Sequence, residues 1–378
     1  MLNVVREQGP PVRIVWQSLS MRDRDIAAWR MESQWVTRPG DDARSVVWHL
    51  LGVQAENLLQ SEWAVAARTR SPRPDAVPAL LDDGTIIRTH VLRSTWHYAL
   101  AEDVGWLLDL SGQRVRGVVT SLLALRGFDE AAIRVVADIV TRALIERPDQ
   151  TRQELRDAIA ATGLDIDGIS AAQILSVLEL DQLICGGRPR DGEHTYALFA
   201  ERVPNPKRLD REEALAEIAV RYVTGHGPAT ARDLAYWATL GLRDVSRGLA
   251  AAADRLRSFE DDNTIYWHAA DSEPPTSAGV PRGHLLLVLD ELHNGFQHSR
   301  YVLDEAGLVP RATRYPAIGM ALVDGQFVAV HTRTVTPQAV RFDLIGWRPL
   351  GADDIEVLTE AADRVGTYLG LPAKVTVA

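Results

Sequence analysis

Gln54 and Glu56 have side chains of the types, and at the spacing, that could hold and activate a water molecule. They follow an apolar helix end at which Gly52 would form a left-handed cap, so residues 54–56 are predicted to form a short extended turn. In an extended segment, side chains two residues apart point the same way. The amide of Gln54 and the carboxylate of Glu56 would then face one site together. An exposed turn without a function is the alternative interpretation of so short a motif.

A predicted hairpin over residues 86–98 supplies two further candidates for substrate contacts. Alternation along the second strand puts Arg93, Thr95 and His97 on one face. Arg93 could clamp a phosphate, and His97 could contact the substrate near Glu56. A histidine that is satisfied by hydrogen bonds beneath a predicted C-terminal β-barrel is the alternative for His97.

An arginine-rich segment, residues 68–74, is the best candidate for a loop that binds the backbone of a nucleic acid. Its basic residues are Arg68, Arg70 and Arg73. Arginine forks onto phosphate oxygens while it stays charged. The same composition is also typical of an ordinary solvated loop.

Length and composition limit the class of protein. A chain of 378 residues is too long for one hydrophobic core and predicts two to four domains. Its 46% hydrophobic and 24% charged residues are usual for a folded protein. The apolar runs are short, and a secretory leader is not evident after Met1, so we expect no membrane span and a cytoplasmic protein. With Cys185 as the one cysteine, an internal disulfide and a cysteine-based zinc site are excluded.

The net charge of −10 is a weak argument against nucleic-acid binding, although it does not describe how the charges are distributed. Only Lys207 and Lys374 of the 41 basic residues are lysine. Covalent chemistry through a Schiff base would therefore depend on one of two amines. The histidines that could suggest a metal, His293, His298 and His331, lack partners at ligand spacing, so we predict neither a metal nor a cofactor.

One pattern of helices followed by alternating strands occurs three times along the chain. The clearest copy has a break at residues 225–228, a near capping box from Thr230 to Asp233, and a hairpin over residues 259–268. A second copy has a full capping box from Thr151 to Glu154. Helices with a two-stranded wing describe a winged helix, which most often binds DNA. A purely architectural role for some copies is the alternative.

The pattern of residues changes from mainly helical to mainly strand-like after a loop rich in proline, serine and glycine at residues 271–282. Beyond it, strands flank a turn at Asp324 and Gly325, and an amphipathic helix over residues 352–369 ends at Gly370. The predicted class is α+β, mainly α: three tandem winged-helix units, then a small antiparallel β-barrel and a C-terminal helix. The predicted divisions are an N-terminal extension 1–20, winged-helix units 21–110, 111–205 and 206–270, and a barrel-like domain 283–378.

Five segments in register carry a resemblance to a known family. They are residues 29–34, 52–56, 91–97, 226–230 and 289–300. In this order they resemble the AlkZ-like and YcaQ-like DNA glycosylases, over nearly the whole chain from residue 21 to residue 369. The resemblance implies tandem winged helices with a small β-barrel. It also implies removal of alkylated bases from DNA, including bases joined by interstrand crosslinks.

The catalytic motif implied by the resemblance falls on Gln54 and Glu56. It is Gln-x-Gln in one branch of the family and Gln-x-Asp in the other, so Glu56 departs from both. A carboxylate is chemically nearer to the aspartate branch, but it is one methylene longer. Asp290, Glu291 and Arg300 match the barrel motif of the family and are expected to form a structural ion pair, with a phosphate contact as the alternative.

The predicted function is therefore hydrolysis of the N-glycosidic bond of alkylated or bulky-adducted bases in double-stranded DNA. Glu56 would be the general base and Gln54 would orient the water. The scarcity of lysine predicts a monofunctional enzyme, and tandem units within one chain predict a monomer. Two other functions remain open: a non-catalytic winged-helix DNA-binding protein or regulator, and a scaffold reused for a role unrelated to DNA.

Overall fold

The computed structural model describes residues 22–93, 95–276, 280–287, 289–309 and 319–378. The predicted N-terminal extension, residues 1–20, lies outside this part of the chain. Across the described ranges, no helix combines the length and the apolar character that a membrane crossing requires.

The N-terminal part of the fold is a group of helices around a three-stranded sheet. Its elements are α1 (Asp23–Ser33), α2 (Ala43–Leu50), β1 (Val53–Gln54), α3 (Leu58–Ala66), α4 (Ala76–Asp83), β2 (Ile86–Val91) and β3 (Thr95–Leu100). The sheet order is β1-β3-β2, so the short strand β1 lies beside β3. Helix α4 was not predicted from the sequence, because proline within its first turn reads as a break although helices tolerate it there.

The second segment joins the first through a long helix. Its elements are α5 (Ala101–Ala124), α6 (Glu130–Glu146), β4 (Gln150–Thr151), α7 (Arg152–Ala160), α8 (Gly168–Leu180), β5 (Ile184–Gly186), β6 (Thr195–Leu198) and α9 (Phe199–Arg202). The capping box predicted at Thr151 and Glu154 is confirmed at the start of α7. Because α5 runs without a break past residue 110, the predicted division at that point falls inside a helix.

The third segment is the most regular. It consists of α10 (Arg211–His226), α11 (Ala231–Trp237), α12 (Leu242–Ala251), β7 (Leu256–Asp261) and β8 (Thr264–Ala269). The near capping box is confirmed, since Thr230 and Asp233 exchange both hydrogen bonds. Asp262 and Asn263, at the predicted turn between the strands, both have positive φ, as a tight hairpin turn requires.

The C-terminal part is a five-stranded sheet covered by a helix. Its elements are β9 (Gly283–Leu286), α13 (Glu291–Asn294), β10 (Gly319–Val323), β11 (Gln326–Thr336), β12 (Ala339–Gly346), α14 (Ala352–Leu369) and β13 (Ala373–Val377). The predicted hairpin turn is confirmed by positive φ at Asp324 and Gly325, and the predicted helix end by positive φ at Gly370.

Of the small antiparallel sheet or barrel that was predicted, the described residues form a sheet, in the order β13-β12-β11-β10-β9. Over the described residues, β9 and β13 are not paired with each other, and the sheet is open. β13 is also parallel to β12, because α14 returns the chain across the sheet before β13 begins. The architecture is thus a mixture of helices and small sheets, while the assignment of three segments as winged helices stays a prediction.

A buried polar network joins α1, the start of α11 and the segment that follows α13. Arg30 donates to the carbonyl oxygens of Pro228 and Ser299, both at 2.8 Å, and to the Ser299 hydroxyl at 2.6 Å. Asp233 accepts three consecutive backbone N–H groups, from Gln297 to Ser299. Buried charged groups need such partners to persist in a core. The network therefore fixes α13 and the residues after it against the N-terminal part.

Candidate active site

Pairing between β1 and β3 places Gln54 directly opposite His97. Helix α2 is followed by Leu51, which has a positive φ of 62°. Gly52 does not have a positive φ. The prediction of Gly52 as the left-handed cap was therefore wrong by one residue. A Cβ atom at residue 52 would lie 2.9 Å from a methyl group of Leu92, so a larger residue there would require the Leu92 side chain to move.

Gln54 is buried, with 8% of its surface exposed. Its backbone N–H donates to Oε1 of Glu291 at 3.0 Å. Its side-chain Oε1 is buried and makes no hydrogen bond to any described residue. An unpaired buried carbonyl costs free energy, so this oxygen is an available acceptor for a water molecule or a substrate group.

Glu56 lies at the surface, where the turn between β1 and α3 presents it to solvent. Its Oε1 accepts the backbone N–H of Trp96 at 2.8 Å. Arg88 holds the same turn from below, donating to the carbonyl oxygens of Ala55 at 2.8 Å and of Glu56 at 3.2 Å. The carboxylate is thus oriented through one oxygen, and the other makes no hydrogen bond within the described part of the chain.

Behind Gln54 lies a buried carboxylate, Glu291, which is 1% exposed. Besides the Gln54 N–H, it accepts from Arg93 at 3.3 Å, from the indole of Trp237 at 2.9 Å and from His226 at 3.4 Å. Burial opposes ionisation, but Arg93 and His226 hold the pKa of Glu291 well below its ordinary value. Glu291 is therefore an ionised anchor for the strand that carries Gln54.

His97 is fully buried, and both of its ring nitrogens are bonded. Nε2 accepts from Nη2 of Arg93 at 3.1 Å, because a guanidinium has only donors, and Nδ1 therefore donates to the Thr95 carbonyl at 2.9 Å. Burial, aided by Arg93, lowers the pKa of His97 to about 3. The structure brings Arg93 and His97 together, but it gives His97 the role of holding Arg93, with the ring neutral near pH 7.

Arg68 lies in the interior, which differs from the predicted position on a DNA-binding loop. It is 2% exposed and makes a two-point ion pair with Asp290, with N–O distances of 3.0 and 2.8 Å. It also donates to Gln34 and to the Ala64 carbonyl. With its donors engaged in this way, we reassign Arg68 to a structural role.

The other predicted DNA contacts differ in exposure. Arg70 and Arg73 lie at the surface, where each pairs with an aspartate, Asp41 and Asp75 respectively. Arg300 is half-buried and donates to the Phe296 carbonyl at 3.0 Å. The expected ion pair of Arg300 with its motif neighbours is replaced by the pairs Asp290–Arg68 and Glu291–Arg93.

Two features of the structure were not foreseen from the sequence. One is the set of partners of Glu291, which are distant in sequence from it. The other is Glu62 on α3, a half-buried carboxylate without a hydrogen bond or ion pair among the described residues. Burial raises the pKa of Glu62 to about 7. No group of three or more histidine, cysteine, aspartate or glutamate side chains that could hold a metal ion occurs in the ranges that the structure describes.

Glu62 makes a testable contribution to stability. Its carboxyl group is protonated in the folded state up to a pKa of about 7, whereas it ionises near pH 4.3 in the unfolded chain. The folded state therefore loses stability as pH rises through this window. We expect Glu62→Gln to be nearly neutral at pH 5 and to raise the free energy of unfolding by about 1 kcal/mol at pH 8, allowing for partial solvent screening. Urea unfolding at both pH values measures this difference.

Glu356 provides the matched control for this experiment. It is an exposed glutamate on α14, and Glu356→Gln is expected to change the unfolding free energy equally at the two pH values. An equal effect of Glu62→Gln at pH 5 and pH 8 would contradict a buried, protonated Glu62.

Known proteins are similar to this chain over most of its length. The family model described as DNA glycosylase AlkZ-like matches residues 47–368. An interstrand DNA cross-link repair glycosylase from Streptomyces sahachiroi is 26% identical over 230 residues, which cover 57% of this chain. The alignment spans 60% of the length of that curated relative.

The solved structure of the Streptomyces sahachiroi DNA glycosylase AlkZ superposes with a TM-score of 0.76 at 20% identity. The match covers 95% of this chain and 100% of that chain, so the two proteins share a fold. The segments that suggested the resemblance also meet in space, through the β1–β3 pairing and the contacts of Arg30 and Glu291. This chain belongs to the AlkZ-like DNA glycosylase family.

Proposed function

We propose that the protein hydrolyses the N-glycosidic bond of alkylated or bulky-adducted bases in double-stranded DNA, including bases joined by interstrand crosslinks. The observation that carries this proposal is the pair of acceptors at residues 54 and 56. Oε1 of Gln54 is buried without a partner, and Glu56 is exposed with one oxygen fixed by the Trp96 N–H and the other free. Family membership supports the reaction class.

Hydrolysis of an N-glycosidic bond requires groups of the kind that Gln54 and Glu56 provide. Cleavage of the bond between sugar and base develops positive charge on the sugar, as in other glycoside hydrolyses. An alkylated purine leaves readily because its ring already carries a charge, so the enzyme needs little acid catalysis. Glu56 would act as the base for the attacking water and as an anion near the sugar. Gln54 would hold that water through its free Oε1.

The surrounding network would keep this geometry within narrow limits. Glu291 accepts the N–H of Gln54, Arg93 connects Glu291 to His97, and His97 lies opposite Gln54 in the sheet. Each contact restricts the position of β1 relative to β3. A misplacement of about one ångström can cost on the order of a hundredfold in rate, so these residues act as positioning groups.

We infer that the helical segments act as DNA-binding units of the winged-helix type. In the third segment, α10, α11 and α12 precede the β7–β8 hairpin, which is the order such a unit requires. On α12, however, Arg247 pairs with Asp244 and Glu212. This pairing argues against a role of α12 in reading bases, and so against three separate sequence readers.

The test is release of a modified base from DNA. Duplex DNA that contains N7-methylguanine is incubated with the protein, and abasic sites are revealed by alkaline cleavage of the strand. We expect release by the wild-type protein above the spontaneous rate. Absence of release from alkylated, bulky-adducted and crosslinked duplexes alike would contradict the proposed function.

We also predict that the enzyme leaves an abasic site and forms no covalent bond with DNA. Lys207 pairs with Glu217 at 3.4 Å, and Lys374 lies in β13, the edge strand of the C-terminal sheet. Neither amine belongs to the elements that carry residues 54 and 56, so a Schiff base is not expected. Incubation with borohydride should trap no protein–DNA adduct while base release proceeds. Trapping that disappears in a Lys207→Arg or Lys374→Arg variant would contradict the prediction.

A further inference from the structure

A cleft between α5 and α11 opens beside the candidate active site. Its volume is about 390 Å³, within the range of small-molecule pockets. Two guanidinium groups, from Arg93 and Arg114, and the ring of Tyr236 line it together with apolar side chains. The apolar lining residues include Val115, Val118 and Leu240.

Arg93 connects this cleft to the proposed catalytic residues. Its side chain is 11% exposed, and one of its nitrogens contacts His97 at 3.1 Å and Glu291 at 3.3 Å. Glu291 in turn accepts the backbone N–H of Gln54 at 3.0 Å. A ligand that touches Arg93 from the cleft is therefore separated from the strand of Gln54 by a single buried carboxylate.

The cleft differs in charge from the rest of the surface. Four other cavities formed by the described residues each include at least one carboxylate in their lining, but this cleft includes none. Arg114 is exposed and makes neither a hydrogen bond nor an ion pair within the described ranges. Glu291 balances the charge of Arg93, so Arg114 supplies the positive charge of this cleft, on a chain whose net charge is −10. Such a site favours a ligand that carries a phosphate.

The walls of the cleft suit a flat aromatic group. Val115 and Leu240 are buried, at 4% and 8% exposure, and Val118 is 62% exposed, at the mouth. Tyr236 is half-buried, and the guanidinium carbon of Arg93 lies 5.8 Å from the centre of its ring. Aromatic rings with neighbouring arginines form stacking platforms for nucleobases.

We propose that this cleft receives the modified nucleotide after it is extruded from the duplex. The base packs on Tyr236 between the apolar walls, Arg93 donates to acceptors on its polar edge, and Arg114 pairs with the adjacent phosphate. This assignment rests on the proposed function, because only an enzyme that acts on the base needs to extrude it. Stacking in the cleft would offset part of the cost of unstacking the base from its neighbours.

The test measures recognition of a lesion separately from its cleavage. The probe is a duplex with one 2′-fluoro-N7-methyl-2′-deoxyguanosine, whose fluorine slows loss of the base, compared with the same duplex containing guanine. Val118→Trp should fill the mouth of the cleft and weaken binding of the lesion duplex by about tenfold, while binding of the guanine duplex is unchanged. Leu125→Trp, at an exposed position at the end of the same helix, is the matched control and should change neither affinity.

Tyr236 gives a second, independent comparison. Tyr236→Ala removes the stacking surface and is expected to lower affinity for the lesion duplex by about tenfold. Tyr236→Phe keeps the ring and should remain within about threefold of the wild type. This pair separates loss of stacking from loss of the hydroxyl group.

The outcomes distinguish the cleft from the function on which it rests. If wild type prefers the lesion duplex and releases N7-methylguanine, but Val118→Trp and Tyr236→Ala keep that preference, the cleft assignment is overturned and the glycosylase function stands. Equal weakening on both duplexes would also overturn it, as an effect on general DNA binding. If the wild-type protein shows neither preference for the lesion duplex nor base release, the proposed glycosylase function is contradicted. The assignment of the cleft to the extruded nucleotide is then contradicted as well.

Discussion

Replacement of Glu56 by alanine is expected to slow release of N7-methylguanine by about a hundred- to ten-thousand-fold, the contribution typical of a general base. The side chain is exposed and makes one hydrogen bond, to the Trp96 N–H, so the fold should tolerate its removal. Single-turnover base release measures the rate. Affinity for an undamaged duplex, expected to stay within about twofold, is the control for folding and DNA binding.

Glu56→Gln separates the charge of this side chain from its shape. A glutamine oxygen can still accept the Trp96 N–H, but it cannot take a proton from water. We expect a loss of about a hundredfold or more, because the anion near the sugar and the base are both removed.

The resemblance to the family implies glutamine or aspartate at the position of Glu56, so variants with either residue are informative. Wild-type rates in Glu56→Gln together with loss in Glu56→Ala would show that residue 56 orients the water and is not its base. Wild-type rates in Glu56→Ala would remove residue 56 from the mechanism. Glu56→Asp keeps the charge and shortens the side chain, so its rate reports how closely the carboxylate must approach.

The second large effect is a loss of unfolding free energy on replacement of Arg68 by alanine. Arg68→Ala leaves Asp290 as a buried carboxylate without its partner, which typically costs about 3–5 kcal/mol of unfolding free energy. The variant also leaves the Gln34 and Ala64 carbonyl oxygens without the donors they have now. A thermal or urea unfolding experiment measures the loss.

Arg70 is the matched control for Arg68. It lies two residues further along the same segment, but it is exposed and pairs with Asp41 at the surface. Arg70→Ala is expected to change the unfolding free energy by about 0.5 kcal/mol or less. If Arg68→Ala instead keeps full stability and loses DNA affinity, Arg68 is a DNA contact, as its place in the arginine-rich segment predicts.

The Arg68–Asp290 pair also bears on the site. Asp290 caps α13, accepting the Leu292 N–H at 2.9 Å, and α13 begins with Glu291. Loss of Arg68 therefore releases the end of the helix that carries the anchor of Gln54. We expect residual folded Arg68→Ala protein to release bases more slowly than wild type at a temperature where both are folded.

Features that depend on a few adjacent residues were predictable from the sequence. The capping boxes at Thr151 and Thr230, the hairpin turn at Asp324 and the helix end at Gly370 agree with the structure. Each is decided by hydrogen bonds or by φ values within one turn of chain. The positive φ at Leu51 was missed because the neighbouring Gly52 carries the stronger local signal, whereas in the structure Gly52 packs closely against Leu92.

Pairings between distant parts of the chain were not predictable in the same way. Arg68 meets its carboxylate 222 residues away, and Gln54 meets Glu291 across 237 residues. With 41 basic and 51 acidic residues, the sequence offers many possible pairs of equal chemistry. Only packing selects among them, because a buried charge must find a partner within hydrogen-bond distance.

The sequence alone determined the helix ends and hairpin turns that depend on a few adjacent residues, and the five segments, with Gln54 and Glu56 in one of them, that pointed to the family. The tertiary structure decided that the C-terminal sheet is open over the described residues and that Arg68 is buried. It also decided that Glu291, Arg93 and His97 together support the strand of Gln54. The physical reason is the separation in sequence over which each interaction acts. Dihedral preferences and caps act within a few residues, whereas sheet closure, burial and ion pairing depend on how remote segments pack.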